Sequence, residues 1–377
     1  MPLNRILEQP RARRILESMV TGERLPHALL FWGPPGVGKS ASAIELARWL
    51  NCHQELEGPC GQCESCVKMA TLEHPHFSYQ MPLPRKALAD ADTGELSQSG
   101  AEELTEILRA KGADLYANAK FTAAQFILIG QIRSLIRWAN VKSFSQKPRI
   151  ALIDHADALK EEAGNALLKL LEEPPPEFIL ILTAETPEDV LPTLLSRCQP
   201  VEFDRLSDSI IDNELEKRGI QDVDTRKRLA HLSSGNLTRA IDFASKPETM
   251  EELMALGIDI VRHSLGKNPL QLNPHLESWN ALTADQRTLV LEIITAWLRD
   301  AALLSAWGET SLPRLIHTDR IELLRKFVTN CPRADFTEAA RQIETARFNI
   351  ERNVLPPLVF TNLARNIYRT IYATEPV

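Results

Sequence analysis

Apolar positions in roughly the first half of the chain gather in short solid runs, whereas those in the remainder recur at helical spacing. Leu29-Leu30-Phe31-Trp32, Ile150-Ala151-Leu152-Ile153 and Phe178-Ile179-Leu180-Ile181-Leu182 contain no polar alternation, the mark of strands buried on both faces of a parallel sheet. Pro200-Val201-Glu202-Phe203 reads as the last strand. Helices are predicted around them over 3–20, with Ile6, Leu7, Ile15, Leu16 and Met19 as the buried stripe, and over 41–50, 129–139 and 161–173, the last closed by Pro174-Pro175-Pro176. A short helix is predicted within 187–198. This alternation describes an α/β core, a mainly parallel sheet with helices on both faces. Residues 207–246 read as a compact helical unit. Amphipathic helices then follow at 250–263, 285–307, 320–329, 336–351 and 358–372, an all-α tail without a chemical motif and suited to packing or assembly. One stretch fits neither pattern: residues 80–120 begin with Pro82 and Pro84 and pass through 89–100, which has acids but no base. They are expected to be a mobile insertion with a short helix over 102–111 and no chemistry.

The first apolar run leads into Gly33-Pro34-Pro35-Gly36-Val37-Gly38-Lys39-Ser40, with Ala41 opening the next helix. A triphosphate needs several backbone N–H groups pointing inward, which a Gly-rich turn capped by a helix N-terminus supplies. Lys39 would reach the β- and γ-phosphates and the Ser40 hydroxyl would ligate Mg²⁺. The strand at 149–153 ends in Asp154, the place from which an acid orients that Mg²⁺ through its water shell. The next position, where a hydrolase keeps a carboxylate to activate water, is His155, so nucleotide (ATP or ADP) binding is expected and efficient hydrolysis is not.

At 377 residues the chain calls for two or three domains. Its 43 basic and 50 acidic residues give a net charge of −7, which excludes a global positive field for nucleic acid and leaves that role to a local patch. The best such patch is Arg133 and Arg137, four apart on one helix face, followed by Lys142, Lys147 and Arg149; a solvated helix face is the other reading. No apolar run approaches a membrane span and no signal peptide opens the sequence, so a cytoplasmic protein without membrane contact is expected. Four of six cysteines, Cys52, Cys60, Cys63 and Cys66, lie together, the number a tetrahedral structural zinc requires; disulfides are the weaker alternative in a cytosolic chain. His74 and His76 follow and are left unassigned, because four thiolates already complete a site.

These motifs, with Asn165-Ala166-Leu167-Leu168-Lys169-Leu170-Leu171-Glu172-Glu173-Pro174-Pro175 and Ser196-Arg197-Cys198, resemble the bacterial clamp-loader subunits of DNA polymerase III, members of the AAA+ group. The resemblance implies an AAA+ core over 1–204, carrying a zinc module at 52–66 and the insertion at about 80–120. A small helical lid over 205–247 and a helical collar over 248–377 would follow. It also implies a heteropentameric ring with gamma/tau and delta subunits that uses ATP to open the sliding clamp and place it on primed DNA. The chain departs from the gamma/tau motor in three places: Asp154-His155 replaces Asp-Glu, Ala184 stands at the first sensor with Thr183 beside it, and Gly235-Asn236-Leu237-Thr238-Arg239 puts the lid arginine one residue late, turned about 100° on a helix. Such departures resemble the delta-prime subunit. By that resemblance Arg197 is an arginine finger acting in trans on a neighbour's ATP, and Arg133 lines the chamber through which DNA passes. The alternatives are a gamma/tau-type motor and a zinc-containing P-loop protein that binds DNA directly.

Overall fold

A computed structural model describes residues 5–22, 25–54, 58–118, 120–121, 126–141, 147–264 and 269–372. Contacts group the chain into two units, Met1–Ile210 with Gly235–Arg239, and Ile211–Ser234 with Ala240–Val377. In order, the first carries α1 (Pro10–Thr21), β1 (Ala28–Trp32), α2 (Lys39–Leu50), α3 (Glu64–Ala70), β2 (Phe77–Gln80), β3 (Leu88–Asp90), β4 (Glu95–Leu96), α4 (Gln98–Ala113), α5 (Ile129–Asn140), β5 (Arg149–Ile153), α6 (Glu161–Glu172), β6 (Phe178–Ala184), α7 (Pro192–Leu195) and β7 (Gln199–Glu202).

The apolar runs become strands of one parallel sheet in the order β2-β5-β6-β1-β7. Strand alternation divides their side chains between two cores. Ala28, Leu30, Ala151, Ile153, Leu180 and Leu182 join Ile132 and Leu135 of α5 and Leu167 and Leu171 of α6. Leu29, Phe31, Ile150, Leu152 and Ile181, of opposite parity, are buried as well, and α2 packs on β5 and β6. This explains why the runs lack polar positions. One residue beyond Ile153, the same parity turns Asp154 toward the start of α2.

Three local expectations are corrected. Helix α1 begins at Pro10 and not at residue 3, because proline's locked φ and missing N–H suit the first helical position. Strand β2 went unpredicted, since it is only four residues long and one residue separates each of its ends from Pro75 or Pro82. The insertion holds a 16-residue helix and a short antiparallel hairpin, not a helix over 102–111 alone. Ser97 starts that helix by accepting the Gly100 N–H at 3.1 Å.

The second unit is helical. Helix α8 (Asp208–Lys217) enters it, α9 (Val223–Leu232) follows, and α10 (Leu237–Ser245) continues into it from the first unit. Then come α11 (Pro247–Ser264), α12 (Asn273–Ala281), α13 (Ala284–Trp307), α14 (Ile321–Asn330), α15 (Phe336–Glu351) and α16 (Pro356–Ile371). The pattern predicted these except α12. Helix α13 lies at the centre, packed against α11, α14 and α15, and buries Ile293, Ile294, Trp297 and Leu298. Its buried Asp300 accepts the N–H groups of Ile316 and His317 and faces the His317 ring, each at 2.9 Å. Among the described residues no helix is long and apolar enough to cross a membrane.

Candidate functional site

The loop between β1 and α2 has the shape its sequence promised. Gly33, Gly36 and Gly38 take φ of 144°, 68° and 103°, and a Cβ at Gly36 would lie 1.7 Å from the Asn236 side-chain oxygen. Only glycine avoids that clash. Pro34, Pro35 and Val37 complete the turn, Val37 and Ala41 being buried. Lys39 Nζ donates to the carbonyls of Gly33 at 2.5 Å and Pro34 at 2.7 Å. Burial pushes this amine down from its usual range to about 8, against the opposing charges of Asp154, Glu185 and Asp157. A desolvated cation held by carbonyls of a Gly-rich loop fits an incoming phosphate, which would satisfy it better.

Asp154, 8% exposed, is bonded at both oxygens. Oδ1 accepts from Ser40 Oγ and Thr183 Oγ1, each at 2.6 Å, and Oδ2 accepts from the Tyr79 hydroxyl at 2.5 Å. Burial pushes its carboxyl up, but the charges of His155 and Lys111 and the Ser40 and Thr183 hydroxyls outweigh that and hold it below the usual carboxylate range. An ionised carboxylate joined to the P-loop serine fits a Mg²⁺ that both would hold. His155 takes φ of 63°, its N–H donates to Thr183 Oγ1 at 3.0 Å, and its ring is 55% exposed, 3.9 Å from Asp157.

Several contributors here were not visible in the sequence. Thr183, in the sequence only the neighbour of Ala184, ties β6 to Asp154. Tyr79 sits on the unpredicted strand. Gln9 bridges the loop to the end of the sheet, donating to Val37 O at 3.3 Å and Asp204 O at 2.7 Å. The N–H of Leu237 donates to Gly36 O at 3.2 Å, and Asn236 caps Arg239 N at 2.9 Å.

The four cysteines meet as their spacing indicated. The sulfurs of Cys52, Cys60, Cys63 and Cys66 all lie within 4.8 Å of one another, with Cys60–Cys66 at 3.9 Å and Cys52–Cys63 at 4.0 Å. Zn–S bonds of about 2.3 Å at tetrahedral angles put sulfurs about 3.8 Å apart, so the cluster fits zinc; none of the four is in a disulfide. N–H groups of Gln62 and Cys63 hold the Cys60 thiol down at about 6, whereas burial pushes Cys66 up to about 12. His74 lies outside the cluster, with Nε2 3.0 Å from Ser65 Oγ and Nδ1 accepting the His76 N–H.

Arg197 follows α7 and is exposed, donating to Glu172 Oε1 at 2.7 Å and to Thr193 O at 3.0 Å. Arg133 and Arg137 share a face of α5 and point toward the insertion hairpin, at 3.5 Å from Asp92 O and 3.0 Å from Thr93 O. Arg149 folds onto Trp138, donating to its carbonyl at 2.6 Å, and Lys142 lies outside the described residues.

The model of the family described as DNA polymerase III, delta subunit, matches residues 8–207, a span that contains the phosphate loop, the thiol cluster, Asp154 and Arg197. The chain belongs to this family. It is delta-prime-like: the DNA polymerase III subunit delta' of Bacillus subtilis (strain 168) is 28% identical over 247 residues, 64% of this chain and 61% of that protein. Subunit delta' of Pseudomonas aeruginosa is 27% identical over 259 residues, 68% of this chain and 66% of that one. Subunit gamma/tau of Mycobacterium tuberculosis (strain ATCC 25618 / H37Rv) is 33% identical over 181 residues, but only 48% of this chain and 25% of that protein align. The first of these alignments thus spans about three fifths of its relative's length.

Proposed function

We propose that this chain is a nucleotide-binding, poorly hydrolysing subunit of the DNA polymerase III clamp loader, of delta-prime type. The observation that carries the reading is the pairing of an intact phosphate loop with His155. Ser40 and Asp154 are joined and Lys39 is desolvated, while the residue beside Asp154 is an exposed imidazole with its backbone in the left-handed region. Binding is provided for; activation of water is not. Mg²⁺, when bound, neutralises phosphate charge. Lys39 and the loop N–H groups hold the phosphates, Ser40 and Asp154 hold the metal, and Thr183 and Tyr79 keep Asp154 oriented and ionised.

In this reading the chain works in a ring with gamma/tau and delta subunits that loads the sliding clamp onto primed DNA. The chain contributes Arg197 to a neighbouring ATPase site, where a guanidinium stabilises charge on the transferring phosphoryl oxygens. Residues 1–204 form the AAA+ core, 205–247 the lid and 248–377 the collar. Arg133 is the DNA-facing candidate, zinc holds 52–66 together, and the complex is cytoplasmic.

Phosphate binding is testable through Lys39. Burial pushes its amine down to about 8, and a phosphate beside it raises that value. Between roughly pH 8 and 10, ADP binding is therefore expected to take up a proton, with affinity falling toward tenfold per pH unit as pH rises. Calorimetry in buffers of different ionisation enthalpy reads both. Proton-neutral binding with constant affinity across that window would contradict the assignment of Lys39.

A further inference from the structure

The segment read as a passive insertion contains a helix seated on α3 and, just after it, a turn that reaches the phosphate loop. At one end, a Cβ on Gly112 would lie 2.1 Å from the Ala70 carbonyl oxygen and 3.3 Å from Thr71 Cα. The last turn of α4 thus rests on the C-terminus of α3, the helix that carries Cys66. The chain then turns tightly: Ala117 N donates to Asp114 O at 2.9 Å, Tyr116 N to Asp114 Oδ1 at 3.0 Å, and the buried Lys111 amine to Ala117 O at 3.2 Å.

That turn aims Tyr116. Its hydroxyl accepts the N–H of Leu7 at 3.0 Å, and the ring is 5% exposed. A Cβ on Gly38 would lie 2.7 Å from the hydroxyl and 3.2 Å from Cε1, so the phenol lies against the Cα of the residue preceding Lys39. A glycine in the left-handed region has no side chain of its own to hold it, and its conformational freedom is costly to restrain. A buried aromatic pressed on that Cα, anchored by a hydrogen bond on one side and a helix on the other, supplies the restraint.

We propose that Tyr116 is a positioning residue for the phosphate loop: helix α4, seated on the cysteine module, presses the phenol onto Gly38 and holds the loop in its anion-binding shape. This rests on the nucleotide-binding reading above. Two consequences follow. Groups that never touch phosphate set its affinity, and the cysteine module is mechanically linked to the nucleotide site through Gly112.

The test is calorimetric titration of the full chain with ADP and, separately, inorganic pyrophosphate, for the wild type and for Lys39→Ala, Tyr116→Ala, Tyr116→Phe and Gly112→Ala. Each variant's zinc content and nucleotide-free melting temperature are measured alongside. Tyr116→Ala and Gly112→Ala are expected to weaken both ligands by about tenfold. Tyr116→Phe, which keeps the ring on Gly38 and loses the bond to Leu7, should weaken them less. Unchanged affinity in Tyr116→Ala, while Lys39→Ala loses binding, would overturn this inference and leave nucleotide binding standing. A lowered melting temperature with wild-type affinity at low temperature would do the same, since that is what a merely structural residue gives. Loss of ADP affinity with pyrophosphate untouched would also overturn it, because Tyr116 would then be a base contact. A wild type that binds neither ligand would overturn both readings.

Discussion

In a clamp-loader complex assembled with Arg197→Ala in this chain, ATP hydrolysis at the neighbouring site that receives this arginine is expected to be about a thousandfold slower, the scale an arginine finger contributes to phosphoryl transfer. The variant chain alone should bind nucleotide as the wild type does. Arg197 is available for such a role: it sits just past α7, exposed, with Glu172 and the Thr193 carbonyl as its partners. An exposed ion pair of that kind contributes about 1 kcal/mol or less, so a phosphoryl group presented by a neighbour can draw the guanidinium away. Phosphate release measured on reconstituted complexes, with partner assembly checked by gel filtration, reads the effect. An intact complex with unchanged turnover would remove Arg197 from catalysis.

The second large effect concerns the thiol cluster. The purified chain is expected to hold one zinc ion, and Cys66→Ser to lose it. Cys66 is buried in the first turn of α3, and its sulfur lies 3.9 Å from that of Cys60. Structural zinc binding is coupled to folding, and loss of about 3 kcal/mol would lower the melting temperature by roughly 10 °C in a domain of this size. Elemental analysis and thermal melting before and after chelation check both parts. A metal-free wild type whose melting point chelation does not move would show that the four thiols hold themselves together.

What the sequence made legible was what lies close along the chain. The phosphate loop and the Cys-x-x-Cys-x-x-Cys set are contiguous, and strand alternation carries Asp154 to the P-loop side. The buried runs were readable as strands because burial on both faces leaves no polar positions. What stayed hidden depends on contacts far apart in sequence. Tyr79 meets Asp154 across 75 residues and Tyr116 meets Leu7 across 109, and no spacing rule links either pair. The insertion misled for a physical reason: its acidic, proline-flanked stretch forms only the hairpin and the start of α4, and several of the segment's closest contacts are made by glycines. Gly94 lies against Gly130, Gly100 against Ala87 and Gly112 against Ala70. A composition reading scores glycine as flexibility; here its missing side chain permits close backbone approach. Arg133 shows the opposite limit, since the helical face was foreseen but the hairpin carbonyl it approaches was not.

The most direct test of the account is ATP binding and steady-state phosphate release by the purified chain alone, beside Lys39→Ala. The account predicts ATP bound by the wild type and not by the variant, with no Lys39-dependent phosphate release in either. Lys39-dependent release by the isolated chain would contradict it, making this subunit a motor and His155 the residue that activates water.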